Sequence, residues 1–231
     1  MTAPWPEPDA GCLVIAVLGA ECTGKSTLTE VLARRLSEDT GWACVQVGEY
    51  LRDWCEAKGR TPRPEEQAGI ALEQARRIAA ASREHRVVVA DTTPLVTAVY
   101  HQEIFGLDSL DAQAVAWHRR CTFSLLTALD LPWQADAHQR DSPAVQARVD
   151  ARVRAMLVGA GLPFAVVRGR GPARLESALD AVSPTLRRRA QPGRGLFTRL
   201  AEREAGQPAW PWRCDDCDLP DCEHALQGLR R

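Results

Sequence analysis

Gly19, Gly24, Lys25 and Ser26 belong to the run Gly19-Ala20-Glu21-Cys22-Thr23-Gly24-Lys25-Ser26, which fits G-x-x-x-x-G-K-[ST]. The two glycines let the backbone turn its amides inward around an anion. A helix starting at Lys25 would add its positive N-terminal end. Lys25 would then reach β- and γ-phosphates, the Ser26 hydroxyl would ligate Mg²⁺, and Thr27 would sit near the α-phosphate. Glu21, Cys22 and Thr23 complete the loop, and the chemistry implied is ATP binding. Of 29 lysines and arginines only Lys25 and Lys58 are lysines. A compact ammonium kept in an arginine-rich chain fits a point contact with phosphate.

Two acids stand at the ends of apolar runs, Glu49 in Val47-Gly48-Glu49-Tyr50-Leu51-Arg52 and Asp91 in Val88-Val89-Ala90-Asp91-Thr92-Thr93. In an open α/β sheet the ligand lies beyond the carboxyl ends of the strands. Asp91 is placed to hold Mg²⁺ through water or to take the proton of an acceptor hydroxyl. Glu49 is placed to orient or deprotonate that hydroxyl. Phosphoryl transfer asks chiefly for positioning and charge stabilisation, so either acid can be the base. Arg52 lies one helical turn past Glu49 and either points into the cleft or pairs with Asp53 or Glu56. Tyr50, Trp54, Tyr100 and Phe105 either stack on a flat acceptor or pack in the core. Further on, Asp130-Leu131-Pro132-Trp133 leads into 134–141, where Arg140 is the candidate to neutralise the transferring phosphoryl group on a closing lid. Arg148, Arg152 and Arg154 follow on a helix, as part of that lid or as an exposed arginine-rich face.

Near the end, Cys214, Cys217, Cys222 and His224 form C-x₂-C-x₄-C-x-H, a complete tetrahedral set for structural Zn²⁺. Four protein ligands leave no open position, so the metal would staple a short tail rather than catalyse. A redox-active pair at Cys214 and Cys217 and an unstructured tail are the competing readings. The other five cysteines are scattered, which fits reduced thiols and a cytoplasmic protein.

These residues need a scaffold. The chain has 231 residues, 45% hydrophobic, with a net charge of −1, enough for a sizeable core. The charge gives no chain-wide case for nucleic acid. Apolar runs at Leu13–Leu18, Ala43–Val47, Val87–Ala90, Phe123–Leu129 and Pro163–Val167 do not alternate with polar residues, as expected of strands buried on both faces. Helical patterns fall between them, at Lys25–Ser37, Glu49–Lys58, Pro64–Glu84, Pro94–Phe105, Leu110–Arg120, Pro143–Val158 and Ala173–Ala181. The fold class is α/β, a parallel five-stranded sheet with right-handed crossovers. The expected organisation is a P-loop body over 11–182, an Arg-, Pro- and Gly-rich linker over 183–195, and a zinc-knuckle-like tail over 196–231. The run Cys12–Ala20 has acidic flanks and is too short to span a membrane.

Taken together, Gly19–Thr27, Glu49–Arg52, Asp91–Thr93 with Thr97 and Tyr100–Gly106, and Asp130–Trp133 with Asp136 and Arg140 resemble the ribosylnicotinamide kinase domain of NadR-type proteins, within the wider AAA-type P-loop group. The resemblance spans roughly residues 12–182. It implies a nucleoside-kinase-like sheet of order 2-3-1-4-5 and transfer of the ATP γ-phosphate to the 5′-hydroxyl of nicotinamide riboside. It also implies an acceptor held by Glu49, Tyr50, Arg52, Asp91, Asp130 and Trp133. Cys22 stands where that group usually has Ser, and Thr93 where it often has a second acid. A different class of function, a regulatory P-loop ATPase or ATP-binding protein that uses its zinc tail for partner or nucleic-acid interaction, is the alternative. The linker arginines would favour nucleic acid, but the acids within the cysteine cluster oppose it. The tail is therefore expected to dock on the body or on a protein partner.

Overall fold

The computed structural model describes residues 4–133 and 143–190. Five strands form one parallel sheet, β1 (Leu13–Leu18), β2 (Cys44–Val47), β3 (Val87–Asp91), β4 (Phe123–Thr127) and β5 (Ala165–Val167), in the order β2-β3-β1-β4-β5. This is the 2-3-1-4-5 order expected from the resemblance. The seven helices described are α1 (Lys25–Thr40), α2 (Tyr50–Lys58), α3 (Gln67–Glu84), α4 (Pro94–Phe105), α5 (Asp111–His118), α6 (Pro143–Gly159) and α7 (Pro172–Ala190). By internal packing the chain divides into Met1–Pro184 and Thr185–Arg231. Among the described residues no helix is long and apolar enough to cross a membrane.

The core follows from the apolar runs. Every residue of β1 and β3 is buried, as a central parallel strand requires. Val14 and Val88 join Ala71, Ala75 and Ile78 of α3 and Ala114 and Trp117 of α5. Ala16, Leu18 and Leu126 join Leu95, Val96 and Val99 of α4 and Val149, Val153 and Leu157 of α6. α4 is buried all round its first two turns, from Pro94 through His101, so it is a core helix rather than an amphipathic one.

Most element ends differ from the sequence reading by a few residues, and three differences have local reasons. The segment 64–84 opens with a 3-10 turn at Pro64–Glu66 before α3 begins. There Glu66 accepts the Arg63 N–H at 2.7 Å and pairs with Arg60 at 2.7 Å. The fourth strand stops at Thr127, where the chain leaves the sheet toward Asp130. α7 does not end near Ala181. It carries through Ser183 and Pro184 to Ala190, so residues 183–190 of the expected linker are helical. Pro184 removes one i→i−4 bond, and the Ser183 hydroxyl donates to Leu179 O at 2.6 Å in the turn where it is lost. Arg187, Arg188 and Arg189 close the helix at the end where cations complement its dipole.

Sheet register positions the site. Val17 pairs with both Asp91 and Leu125, and Val47 pairs with Ala90. The segments after β1, β2, β3 and β4 therefore leave the sheet side by side, bringing Gly19, Glu49, Thr92 and Ala128 to one edge of the molecule.

Candidate active site

Between β1 and α1 the phosphate-loop sequence forms a tight loop. Gly19 has φ +147° and Gly24, the N-cap of α1, has φ +72°. A Cβ at Gly19 would fall 2.1 Å from Thr127 Oγ1, so close approach of β4 excludes any side chain there. The Thr127 hydroxyl donates to Leu18 O at 3.1 Å and lies 2.7 Å from Thr23 Oγ1, which donates to Ala20 O at 2.8 Å. Lys25 Nζ also donates to Ala20 O, at 2.7 Å. Cys22 has φ +55°, a left-handed conformation at the loop's tip. Ser26 is half-buried and Thr27 exposed at the start of α1. The Ser26 carbonyl accepts from Thr29 Oγ1 at 2.8 Å, and Gln46 of β2 holds that hydroxyl at 2.8 Å.

Glu49 is the N-cap of α2, in extended backbone, at the end of β2. Burial raises its pKa above the usual carboxylate range, Asp91 raises it further, and Lys25 and Arg52 lower it. Lys25, Glu49 and Asp91 therefore act on one another through one cleft. Asp91 is 2% exposed, and its Oδ1 is buried with no hydrogen-bond partner among the described residues. Thr92 follows with φ +69° and an N–H bonded to Val17 O at 3.0 Å. Its hydroxyl is likewise buried without a described partner. A β-branched residue at positive φ is rare and costly, and such strain gathers at working sites. Thr93, by contrast, turns its hydroxyl inward to His118 Nδ1 at 3.0 Å, while His118 Nε2 faces Ser124 Oγ at 2.9 Å.

Several sequence candidates are otherwise engaged. Tyr50 lies under the Arg77 guanidinium at 4.4 Å, and Trp54 under that of Arg60 at 4.9 Å. Tyr100 is buried in the core, and Phe105 packs edge-on against His101. Arg52 is exposed, while Asp53 pairs with Arg77 at 2.5 Å. Arg148 and Arg152 both grip Glu103 of α4, at 2.5 and 3.3 Å, and Arg154 pairs with Asp150 at 2.7 Å. These three arginines brace α6 rather than reach the cleft. Asp130 is also spent: Oδ1 pairs with Arg174, and Oδ2 accepts the Gly169 N–H at 2.7 Å. Trp133 is half-buried at the end of the described segment. Arg140 and the cluster Cys214, Cys217, Cys222 and His224 lie outside the described residues. Among the described residues no three His, Cys, Asp or Glu side chains gather as a metal site.

The sequence reading did not anticipate Thr127, nor Gln146, which donates to Glu21 O of the phosphate loop at 2.7 Å, nor Gln74 and Arg174. Gln74 is 1% exposed and grips the backbone on either side of Glu49, accepting from Tyr50 N at 2.7 Å and donating to Gly48 O at 3.2 Å. Its signal was a polar residue on the core stripe of α3, between Ile70 and Ile78. Arg174 stands near the start of α7, the end where a cation opposes the helix dipole, and that misplacement was its signal.

The profile of the AAA domain family matches residues 14–174. Among proteins of curated function none matches the chain in sequence. Solved structures are similar in fold. A NadR protein in complex with NAD and AMP-PNP matches at TM-score 0.59 and 20% identity, over 75% of this chain and 49% of that one. A NadR protein in complex with NR matches at 0.60 and 21% identity, over 75% and 51%. Thymidylate kinase from Ehrlichia chaffeensis matches at 0.54 and 14% identity, over 76% of this chain and 99% of that one. The chain thus spans about half the length of the NadR structures. The likeness to NadR read in the sequence motifs is found again in the fold.

Proposed function

The chain belongs to the AAA domain family, and on that premise we propose that it is an ATP-dependent small-molecule kinase whose acceptor is nicotinamide riboside or a similar nucleoside. One observation carries the reading: Lys25 of a complete phosphate loop, Glu49 and Asp91 stand at the ends of the neighbouring strands β1, β2 and β3, on one edge of the sheet. The solved structures of similar fold include a NadR protein with NR and a thymidylate kinase, which supports a nucleoside or nucleotide acceptor.

In this reading the amides of Gly19–Thr27 and the N-terminus of α1 hold the triphosphate, and Lys25 leaves Ala20 O to contact its β- and γ-phosphates. Asp91, with a buried oxygen that has no partner among the described residues, and Ser26 are hard oxygen donors suited to Mg²⁺. Bound there, Mg²⁺ would offset charge on the phosphates. We assign Glu49, whose pKa burial raises above the ordinary carboxylate range, as the base for the acceptor hydroxyl, and Asp91 to the metal. Arg52 tempers the charge on Glu49. Arg140 would neutralise the phosphoryl group from a lid. The kinase body is assigned to 11–182. The spacing of Cys214, Cys217, Cys222 and His224 supports a structural zinc in the tail, where about one zinc per chain would be found and Cys222→Ser would lower it.

ATP consumption measured across nicotinamide riboside, other nucleosides and thiamine-like acceptors tests the reading. Acceptor-dependent turnover that Lys25→Ala abolishes in a folded protein is expected. Hydrolysis indifferent to every acceptor would overturn it in favour of a regulatory ATPase.

A further inference from the structure

We infer that Arg174 is a positioning residue for nucleotide binding, acting through the phosphate loop's own backbone; this rests on the nucleotide-binding half of the proposed function. Arg174 is 4% exposed. Its Nη1 donates to Thr23 O at 2.6 Å, its Nε to Gly169 O at 2.8 Å, and its Nη2 reaches Ala128 O at 3.4 Å and the Asp130 carboxylate. One guanidinium thus ties together three segments: the phosphate loop, the exit of β4, and the loop between β5 and α7. Asp130 pairs with the buried cation and accepts the Gly169 N–H with its other oxygen, so the two side chains hold the three segments in one network.

The bond to Thr23 O matters most. The carbonyl of Thr23 and the N–H of Gly24 belong to one planar peptide. Holding that carbonyl toward Arg174 turns the Gly24 N–H the opposite way, as a loop that cradles an anion with its amides requires. Thr127 fixes the Thr23 hydroxyl on its other side. Gly169, at φ +92° with Arg174 N only 3.3 Å from where its Cβ would lie, lets its loop fold close beneath α7 and meet the guanidinium. Lysine cannot reproduce the planar fork that serves Thr23, Gly169 and Asp130 together.

The test compares Arg174→Lys and Asp130→Asn with the unaltered chain, reading Mg-ADP affinity by calorimetry and unfolding midpoint in urea. Arg174→Lys is expected to remain folded and to bind nucleotide about tenfold or more weakly. Asp130→Asn, which keeps the shape but not the charge, is expected to fall between. In turnover, KM for ATP should rise while KM for the acceptor holds. Native nucleotide affinity in a folded Arg174→Lys protein overturns the inference. Should both variants fail to fold, the pair is a determinant of the fold alone and the inference likewise falls. Nucleotide binding that is normal here but serves no acceptor removes the kinase reading and leaves this inference standing. An unaltered chain that binds no Mg-ADP removes both.

Discussion

Gln74 of α3 holds the backbone on both sides of Glu49. The amide of Gln74 bonds Tyr50 N and Gly48 O, the peptide groups on either side of Glu49. Gln74→Leu keeps the size and burial but leaves those two groups unserved, costing about 1–3 kcal/mol of stability. Loss of Glu49's alignment should lower kcat about ten- to a hundredfold with little change in KM for ATP, because the phosphate loop is built on other elements. Steady-state kinetics beside a urea titration checks this. A loss of stability with kcat unchanged would make Gln74 a packing residue only.

Gly19 and Gly24 differ in what surrounds them, and their alanine variants should differ too. At Gly19 a methyl meets Thr127 Oγ1 at 2.1 Å, in a strand end that cannot retreat; at Gly24 it meets only the Leu131 Cδ1 atom at 3.0 Å. Both carry the positive-φ penalty of about 1–3 kcal/mol. Gly19→Ala should therefore lower the unfolding midpoint further and abolish nucleotide binding, whereas Gly24→Ala should bind weakly but measurably. Differential scanning calorimetry with and without Mg-ATP distinguishes them; equal losses would contradict the contact at Thr127.

Much of the fold is legible in the sequence, because its signals are local. A buried apolar run followed by Gly19–Ser26 specifies strand, loop and helix in one stretch of chain. Glu49 and Asp91 could be placed because an open parallel sheet puts the residues after its strands at one edge. What escaped was long-range pairing. Asp130 was read as an acceptor ligand from its place in a motif, and its partner Arg174 lies 44 residues away. Arg148 and Arg152 looked available until α6 packed on α4 and Glu103, 45 and 49 residues back, took both. The length of α7 was missed because Pro184 reads as a stop, and the Ser183 hydroxyl bond that accompanies its continuation is invisible in a propensity.

His118 should make the fold acid-sensitive. It is buried between Thr93 Oγ1 and Ser124 Oγ, with Cys121 Sγ 3.9 Å from Nδ1. Burial holds its pKa down to about 4, against 6.5 for the ordinary group. A depressed histidine contributes stability above its unfolded pKa, and that contribution is lost as pH falls from about 6.5 toward about 4. Full protonation would forfeit up to about 3 kcal/mol at that shift. His118→Gln should be less stable than the unaltered chain at neutral pH, with the gap closing as pH falls through that window. Urea midpoints measured at steps across it decide the point; a gap constant with pH would show that His118 is not held neutral by the fold.

Glu49 works in the opposite sense, and its replacement separates stability from activity. Burial first, then Asp91, raises its pKa above the ordinary 4.5, against the pull of Lys25 and Arg52. The folded state therefore prefers the protonated carboxyl. That preference is fully expressed below the unfolded pKa and is lost as pH rises through the folded one. Ionised Glu49 is thus a burden the nucleotide-free protein carries near neutrality, and Glu49→Gln should relieve it. The variant is expected to unfold at higher urea than the unaltered chain at about pH 7.5, to match it near pH 4 where both side chains are neutral, and to lose acceptor-dependent turnover. Equal midpoints at neutral pH would mean that Lys25 and Arg52 already compensate the half-buried charge, and retained turnover would move the base to Asp91.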